Sequence, residues 1–205
     1  MTTTRRRRLT RVEQQAETRT RLLDAAVAVC SRRGLHEATL DEISEAAGFT
    51  RGAVYSNFAG KEDLLLTVFE ERIEPRLRAI ATPLIESRTA REQSARMREF
   101  MRSLLNEERR HLLLLIEFWG FAARNPKLAR RFAEVRRRRR EGVEQMIEQR
   151  LERFDGELRV PVEDLAGAFV AATIGALFEG LVDRRLEADR LQSVAYELIL
   201  RGSSR

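Results

Sequence analysis

Residues 39–69 read TLDEISEAAGFTRGAVYSNFAGKEDLLLTVF, and the punctuation in this stretch decides the fold. Thr39, Leu40, Asp41 and Glu42 form a capping box, in which hydroxyl and carboxylate answer orphan N–H groups reciprocally at a helix start. Ile43, Ala46 and Ala47 supply the inner face of that helix, and Gly48 ends it. Only Phe49 separates this glycine from Thr50, a good N-cap for a further helix over residues 51–58. Ala59-Gly60 closes it. A fourth helix opens near Lys61 and carries Leu64, Leu65, Val68, Phe69, Ile73 and Leu77 at helical spacing. Two short capped helices joined by a tight Gly-containing turn make a helix-turn-helix.

Upstream, residues 18–33 form a helix with Leu22, Leu23, Ala26, Val27 and Cys30 on one face, stopped at Gly34. Residues 1–17 are polar and Arg-rich and read as a flexible basic arm. Downstream, Pro75 should kink the fourth helix and Pro83 should close it. Met97, Phe100, Met101, Leu104 and Leu105 mark a fifth helix, and residues 111–123 a densely apolar one ended by Asn125-Pro126. Residues 127–154 are charged and helical, Asp155-Gly156 turns the chain, and helices follow over 161–185 and 189–201. The expectation is an all-α chain: arm 1–17, a three-helix head 18–62, and a helical body 63–205.

Composition agrees. Apolar residues make up 43% and charged residues 34% of the 205, a globular balance rich in helix formers. The formal charge of +6 is concentrated at the start. Residues 1–61 hold eleven Lys/Arg against seven Asp/Glu, and the rest hold 27 against 25, so the head carries +4 and the body +2. Such an asymmetry suits a localised polyanion-binding surface. Cys30 is the only cysteine and lies in an apolar helical pattern, and His36 and His111 are far apart, so neither a disulfide nor a metal site is expected. No nucleophile, base and orienter stand together and no Gly-rich phosphate loop is present, so neither an enzyme nor a cofactor is expected. The longest uncharged run, residues 165–178, falls short of the ~18 residues of a membrane span. A cytoplasmic protein is expected.

The 39–69 stretch strongly resembles the DNA-binding core of the TetR family of bacterial regulators. The resemblance rests on the capping Thr39, Gly48 in the turn, Tyr55 three residues before Phe58, and the Lys61-Glu62-Asp63-Leu64 opening. It extends back to about residue 18 and weakens to architecture after residue 80. It implies a DNA-binding head on a helical body that dimerises through its last two helices. It also implies a repressor that holds a palindromic operator and leaves it when a small molecule occupies the body.

A recognition helix must hold its back face in a core and offer polar tips to the groove. Val54 and Phe58, four apart, suit the back. Arg51 is placed to read a guanine edge bidentately, and Gly52 and Ala53 let the backbone approach the duplex. Tyr55 matches the family's backbone-contacting tyrosine. Thr39 and Lys61, at helix N-termini, suit phosphates, and Thr50, Ser56 and Asn57 complete the face. Arg5–Arg8 and Arg11 would add salt-sensitive affinity.

In the body, residues 165–181 are apolar or small nearly all round, so that helix needs partners on several sides. Ala168, Ala172, Gly175 and Ala176, with Val194 and Leu198 on the last helix, are candidate residues of a four-helix dimer interface. Phe100, Leu104, Leu115, Phe118, Trp119, Phe121 and Phe169 are candidates to line a largely apolar ligand pocket. Glu117, the only charge between Arg110 and Arg124, is a candidate polar member of it. The Arg136–Arg140 run, with Arg137–Glu141 and Arg140–Glu144 four apart, reads as a solvated face laced by ion pairs. A ligand-independent structural or constitutive DNA-binding protein would share the same head.

Overall fold

The computed structural model describes residues 10–85, 89–154 and 159–203, and every regular element among them is helical. The chain divides into two compact units, Met1–Ile73 and Glu74–Arg205.

In the first unit, α1 (Arg11–Arg33) begins seven residues earlier than periodicity suggested. Thr10 and Glu13 form a capping box, with Thr10 N–H donating to Glu13 at 2.7 Å and Glu13 N–H donating to the Thr10 hydroxyl at 3.2 Å. The arm expected over 1–17 is therefore helical from Arg11, while Arg5–Arg8 lie outside the described residues. Leu22, Leu23, Ala26, Val27 and Cys30 are all buried, and Gly34 caps the helix at φ 84°. The helix-turn-helix follows as α2 (Leu40–Ala46) and α3 (Arg51–Tyr55), with α4 (Lys61–Val68) behind it. Ile43 and Ala47 are buried, but Ser44 takes the inner position expected of Ala46, which is exposed. α1 packs against both α2 and α4, and Leu64, Leu65 and Leu66 close the core beneath them.

The kink expected at Pro75 is a π-helical turn, Phe69–Ile73, that ends two residues before the proline. Pro75 has no N–H for the Glu71 carbonyl and its ring would crowd that oxygen, so a wider turn relieves the ladder there. This turn belongs to the first unit, which carries the boundary of the head to residue 73 rather than 62.

The second unit comprises α5 (Glu74–Ile85), α6 (Ala90–Asn106), α7 (Arg109–Ala123), α8 (Pro126–Phe154), α9 (Val162–Val182) and α10 (Ala188–Ser203). α5 runs two residues past Pro83, and the Asp155-Gly156 turn lies outside the described residues. α9 is its axis, packing against α6, α8 and α10. Its inner stripe includes Leu165, Phe169, Thr173, Ala176, Leu177 and Leu181. Length and apolarity alone would let α9 cross a membrane, with a mean hydropathy of 1.9 over its most apolar window. Less than half of that window is buried in packing within the unit. A Cβ on Gly180 would lie 2.8 Å from the Ala188 Cβ, so only glycine lets the start of α10 approach α9 so closely.

Candidate nucleic-acid interface and body cavity

The head presents α3 as the spacing required. Val54 is fully buried and Phe58 nearly so, which pins the back of the helix. Arg51, Gly52, Tyr55 and Ser56 are exposed on the front, and Ala53 is half-buried. Tyr55 keeps half its surface in solvent (51%) although large aromatic rings are normally covered. Arg51 bridges two neighbours: its guanidinium is 3.1 Å from Asp41 on α2 and donates to the Tyr55 hydroxyl at 3.2 Å. Thr50 caps α3 through backbone geometry alone, with no side-chain cap bond. Ser56 and Asn57 turn back on their own helix, both donating to the Ala53 carbonyl, at 2.9 and 2.8 Å. Asn57 Oδ1 is buried without a partner.

Thr39 caps α2 as its sequence demanded, accepting from Glu42 N–H at 3.2 Å while Thr39 N–H donates to Glu42 at 3.0 Å. These bonds to Thr39 hold the Glu42 carboxyl below its ordinary range. Lys61 has a definite partner, the His36 carbonyl at 2.8 Å, which ties the start of α4 to the α1–α2 connection. Two residues that no motif marked hold the turn itself. Arg21 donates to the Ala47 carbonyl at 2.8 Å and lies over the Phe49 ring, 4.7 Å from its centroid. Arg19 covers the Phe58 ring at 5.3 Å and pairs with Glu71 at 2.6 Å. Their only signal was position, beside Leu22 and Leu23 on the helix that backs the turn.

The body contains a cavity of about 490 Å³, within the range of small-molecule sites. Of the residues expected to line a pocket, Phe100, Leu104, Leu115 and Phe169 do so. Trp119 lines an adjoining cavity of about 400 Å³, and Arg136, Val170 and Ile174 border both. Glu117, Phe118 and Phe121 line neither. Phe118 is core, edge-on to Phe132 at 5.0 Å.

The Arg136–Arg140 run is not one solvated face. Arg137 is exposed and pairs with Glu134 and Glu141, as ion-pair spacing suggested. Arg139, however, reaches the buried carboxylate of Glu74 at 3.0 Å. Arg136 is buried to 8% exposure, with its guanidinium over the Trp119 ring at 5.1 Å and no hydrogen bond or ion pair among the described residues. Burial, reinforced by Arg139, pushes it down to about 10 despite the opposing charge of Glu74. Taking such a charge from water costs several kcal/mol (~3 or more) unless it is paired. The signal was available: Arg136 falls four residues after Phe132 on the stripe of Leu128, Phe132 and Val135.

Of the candidate interface residues, Ala168, Gly175 and Val194 are exposed, Ala172 is half-buried, and Ala176 points into its own unit. The side chain of Leu198 lies outside the described residues. Ala171 and Val182 extend the exposed stripe of α9, and Leu191 that of α10.

Among the described residues, the first unit is thus a helix-turn-helix head and the second an all-helical body with a cavity open to its surface. The family profile described as bacterial regulatory proteins, tetR family, matches residues 22–68. The profile of the BetI-type transcriptional repressor C-terminal domain matches residues 87–201, more than half the chain. The chain belongs to the TetR family of bacterial regulatory proteins.

Among curated relatives, the transcriptional regulator SrpR of Pseudomonas putida is 49% identical over 59 residues, 29% of this chain and 28% of its own length. That similarity spans little more than a quarter of the relative. Two solved structures share the fold. Bacillus subtilis FadR, in complex with stearoyl-CoA, superposes with a TM-score of 0.71 at 20% identity, covering 89% of this chain and 98% of its own. A Saccharomonospora viridis regulator in complex with choline gives 0.70 at 21% identity, covering 93% and 99%. One neighbour holds an acyl thioester and the other a quaternary cation, so a shared fold does not select a ligand.

Proposed function

We propose that this protein is a homodimeric, sequence-specific repressor of transcription in the bacterial cytoplasm. In this reading α3 enters the major groove of a palindromic operator, and a small molecule in the body lowers operator affinity. The carrying observation is the division of residues 51–58 into a buried back, Val54 on α3 and Phe58 just beyond it, and an exposed front, Arg51, Gly52 and Tyr55. A helix of only five residues, Arg51–Tyr55, does not spend a half-exposed tyrosine and an arginine on its outer face for packing. Arg51 reads a base edge, Tyr55 sits against the sugar-phosphate backbone, and Thr39 and Thr50 offer hydroxyls to phosphates. The exposed apolar positions on α9 and α10 form the seam between two copies, and pairing sets the spacing of the two heads. No turnover step is part of this reading.

Selection of bound sequences from a random duplex pool at near-physiological salt tests it. A recovered motif with two inverted half-sites supports the reading. Recovery of no motif would reduce the head to nonspecific binding and defeat it.

A further inference from the structure

The body sets two hydrogen-bond donors side by side without a protein acceptor among the described residues: the buried indole N–H of Trp119 and the guanidinium of Arg136, which lines the cavity space. Arg136 is more than nine-tenths buried on the shared wall of both cavities, and its only described partner is the face of Trp119. Trp119 Nε1 is itself buried without an acceptor. The nearest carboxylate, Glu74, places both its oxygens on Arg139, at 3.0 and 3.2 Å. Around the larger cavity stand Arg78, Arg136, Arg138 and Arg139 against Glu74 and Glu141, an excess of positive charge. The remaining wall is mostly hydrocarbon, including Phe100, Leu104, Leu115, Met146, Phe169 and Leu177, with Gln145 and Thr173 as its uncharged polar members.

Buried polar groups in folded proteins are satisfied, and those that are not point to a missing partner. What is missing here is an acceptor carrying negative charge and attached to an apolar body. A guanidinium fork is matched best by a planar pair of oxygens. A cation fits poorly: the Trp119 face that would receive it is already covered by Arg136. From this arrangement we infer that the body cavity binds an amphipathic monocarboxylate, with Arg136 holding the carboxylate and the apolar wall holding its hydrocarbon. This deepens the ligand-responsive reading and rests on it. Desolvation holds Arg136 at about 10, so it is charged at neutral pH and its attraction for an anion is undiminished.

The test uses three ten-carbon amphiphiles below micelle formation: decanoate, 1-decanol and decyltrimethylammonium. Binding is read on the free full-length protein from the fluorescence of Trp119, the sole tryptophan, and from melting temperature. Decanoate should bind at least about tenfold tighter than either of the others. Arg136→Met should remove that advantage while leaving decanol affinity within about threefold. Arg136→Lys, which keeps the charge without the fork, should fall between. If Arg136→Met does not fold, the head-group order in the wild-type protein decides alone. Equal binding of the three, or preference for the ammonium, overturns the inference. Because no DNA is present, a flat head-group order leaves the operator result standing, and failure to select an operator leaves the head-group order standing.

Discussion

Arg51 of the recognition helix is held 3.1 Å from Asp41, a carboxylate in the first turn of the preceding helix, and both side chains are more than half exposed. Free of DNA, the guanidinium that would read a base is engaged by its own protein. An exposed pair of this kind is worth ~0–1 kcal/mol, so DNA can displace it at small cost. Asp41→Asn should therefore tighten operator binding about two- to tenfold at low salt, with little change in unfolding. Fluorescence anisotropy against the selected operator measures it. A loss of affinity would mean instead that Asp41 orients Arg51 for contact.

Arg51 and Lys61 should separate cleanly. Arg51→Ala should cost ~1–3 kcal/mol of operator binding and relax preference at one position of each half-site. Lys61→Ala should weaken all sequences about equally and reduce the salt slope by about 1. Since Lys61 also donates to the His36 carbonyl, its loss should lower stability by ~1 kcal/mol as well. Binding titrations over a mismatch series and a salt series distinguish the two. A base-specific effect of Lys61→Ala would reverse the assignment.

Gly48→Ala should damage the head selectively. Gly48 sits at φ +74°, where an L side chain costs ~1–2 kcal/mol. The new Cβ would also lie 3.1 Å from the Arg21 guanidinium that donates to Ala47. A loss of about 1–2 kcal/mol in thermal unfolding is expected, with weakened operator binding. Unchanged melting would show that the turn does not need its left-handed residue.

What could be read beforehand was what local chemistry fixes. The Thr39–Glu42 box, the glycine stop at 48 and the Val54/Phe58 back face each depend on residues at most four apart. The Thr10–Glu13 box has the same form, but nothing apolar recurs after it until Leu22, so periodicity does not reveal the helix it opens. A helix half without a buried face gives no periodic signal, though its cap and its Glu, Gln, Ala and Arg content suffice to form it. Packing was less legible. Gly175 and Gly180 look alike in sequence, yet one faces open space and the other sits against Ala188 and Leu105. Five consecutive arginines likewise read as one class, although rotation about α8 buries Arg136, pairs Arg139 with Glu74 and exposes Arg137.

Acid should loosen the body through His111. Its ring is buried and bonded to Glu108 at 2.8 Å, and Glu108 also accepts from Arg76. Burial lowers the His111 pKa, outweighing the pull of Glu108, while Arg110 and Arg76 push the same way as burial. The unfolded chain, titrating near the ordinary value of ~6.5, therefore takes up this proton first as pH falls. Stability present above that value is lost as pH drops through it toward the lower folded value. The Glu108 pKa, lowered chiefly by Arg76, adds a loss in the same direction at more acid pH. Melting temperature should fall between pH 7 and 5, and His111→Gln should flatten that decline. An equally steep decline in the variant would remove His111 from the account.

The proposed seam between two copies can be tested without disturbing the fold of either. A Cβ on Gly175 meets nothing within 4 Å, so Gly175→Glu leaves the internal packing of the body untouched. In helix propensity it gains ~1 kcal/mol over glycine. Its effect on association should be the reverse. The exposed stripe of α9 around it, Ala168, Ala171 and Val182, already carries the exposed carboxylate of Glu179 one turn on, so a glutamate at 175 adds like charge and two copies would bring further carboxylates together. Sedimentation should show monomer, with melting of the isolated fold unharmed. Operator affinity should fall by about 10²–10⁴, because two heads no longer act at one effective concentration. Gly180→Ala is the contrasting variant: its Cβ strikes Ala188 at 2.8 Å, so it should destabilise folding rather than association. A Gly175→Glu protein that remains dimeric and binds its operator unchanged would place the seam on another surface.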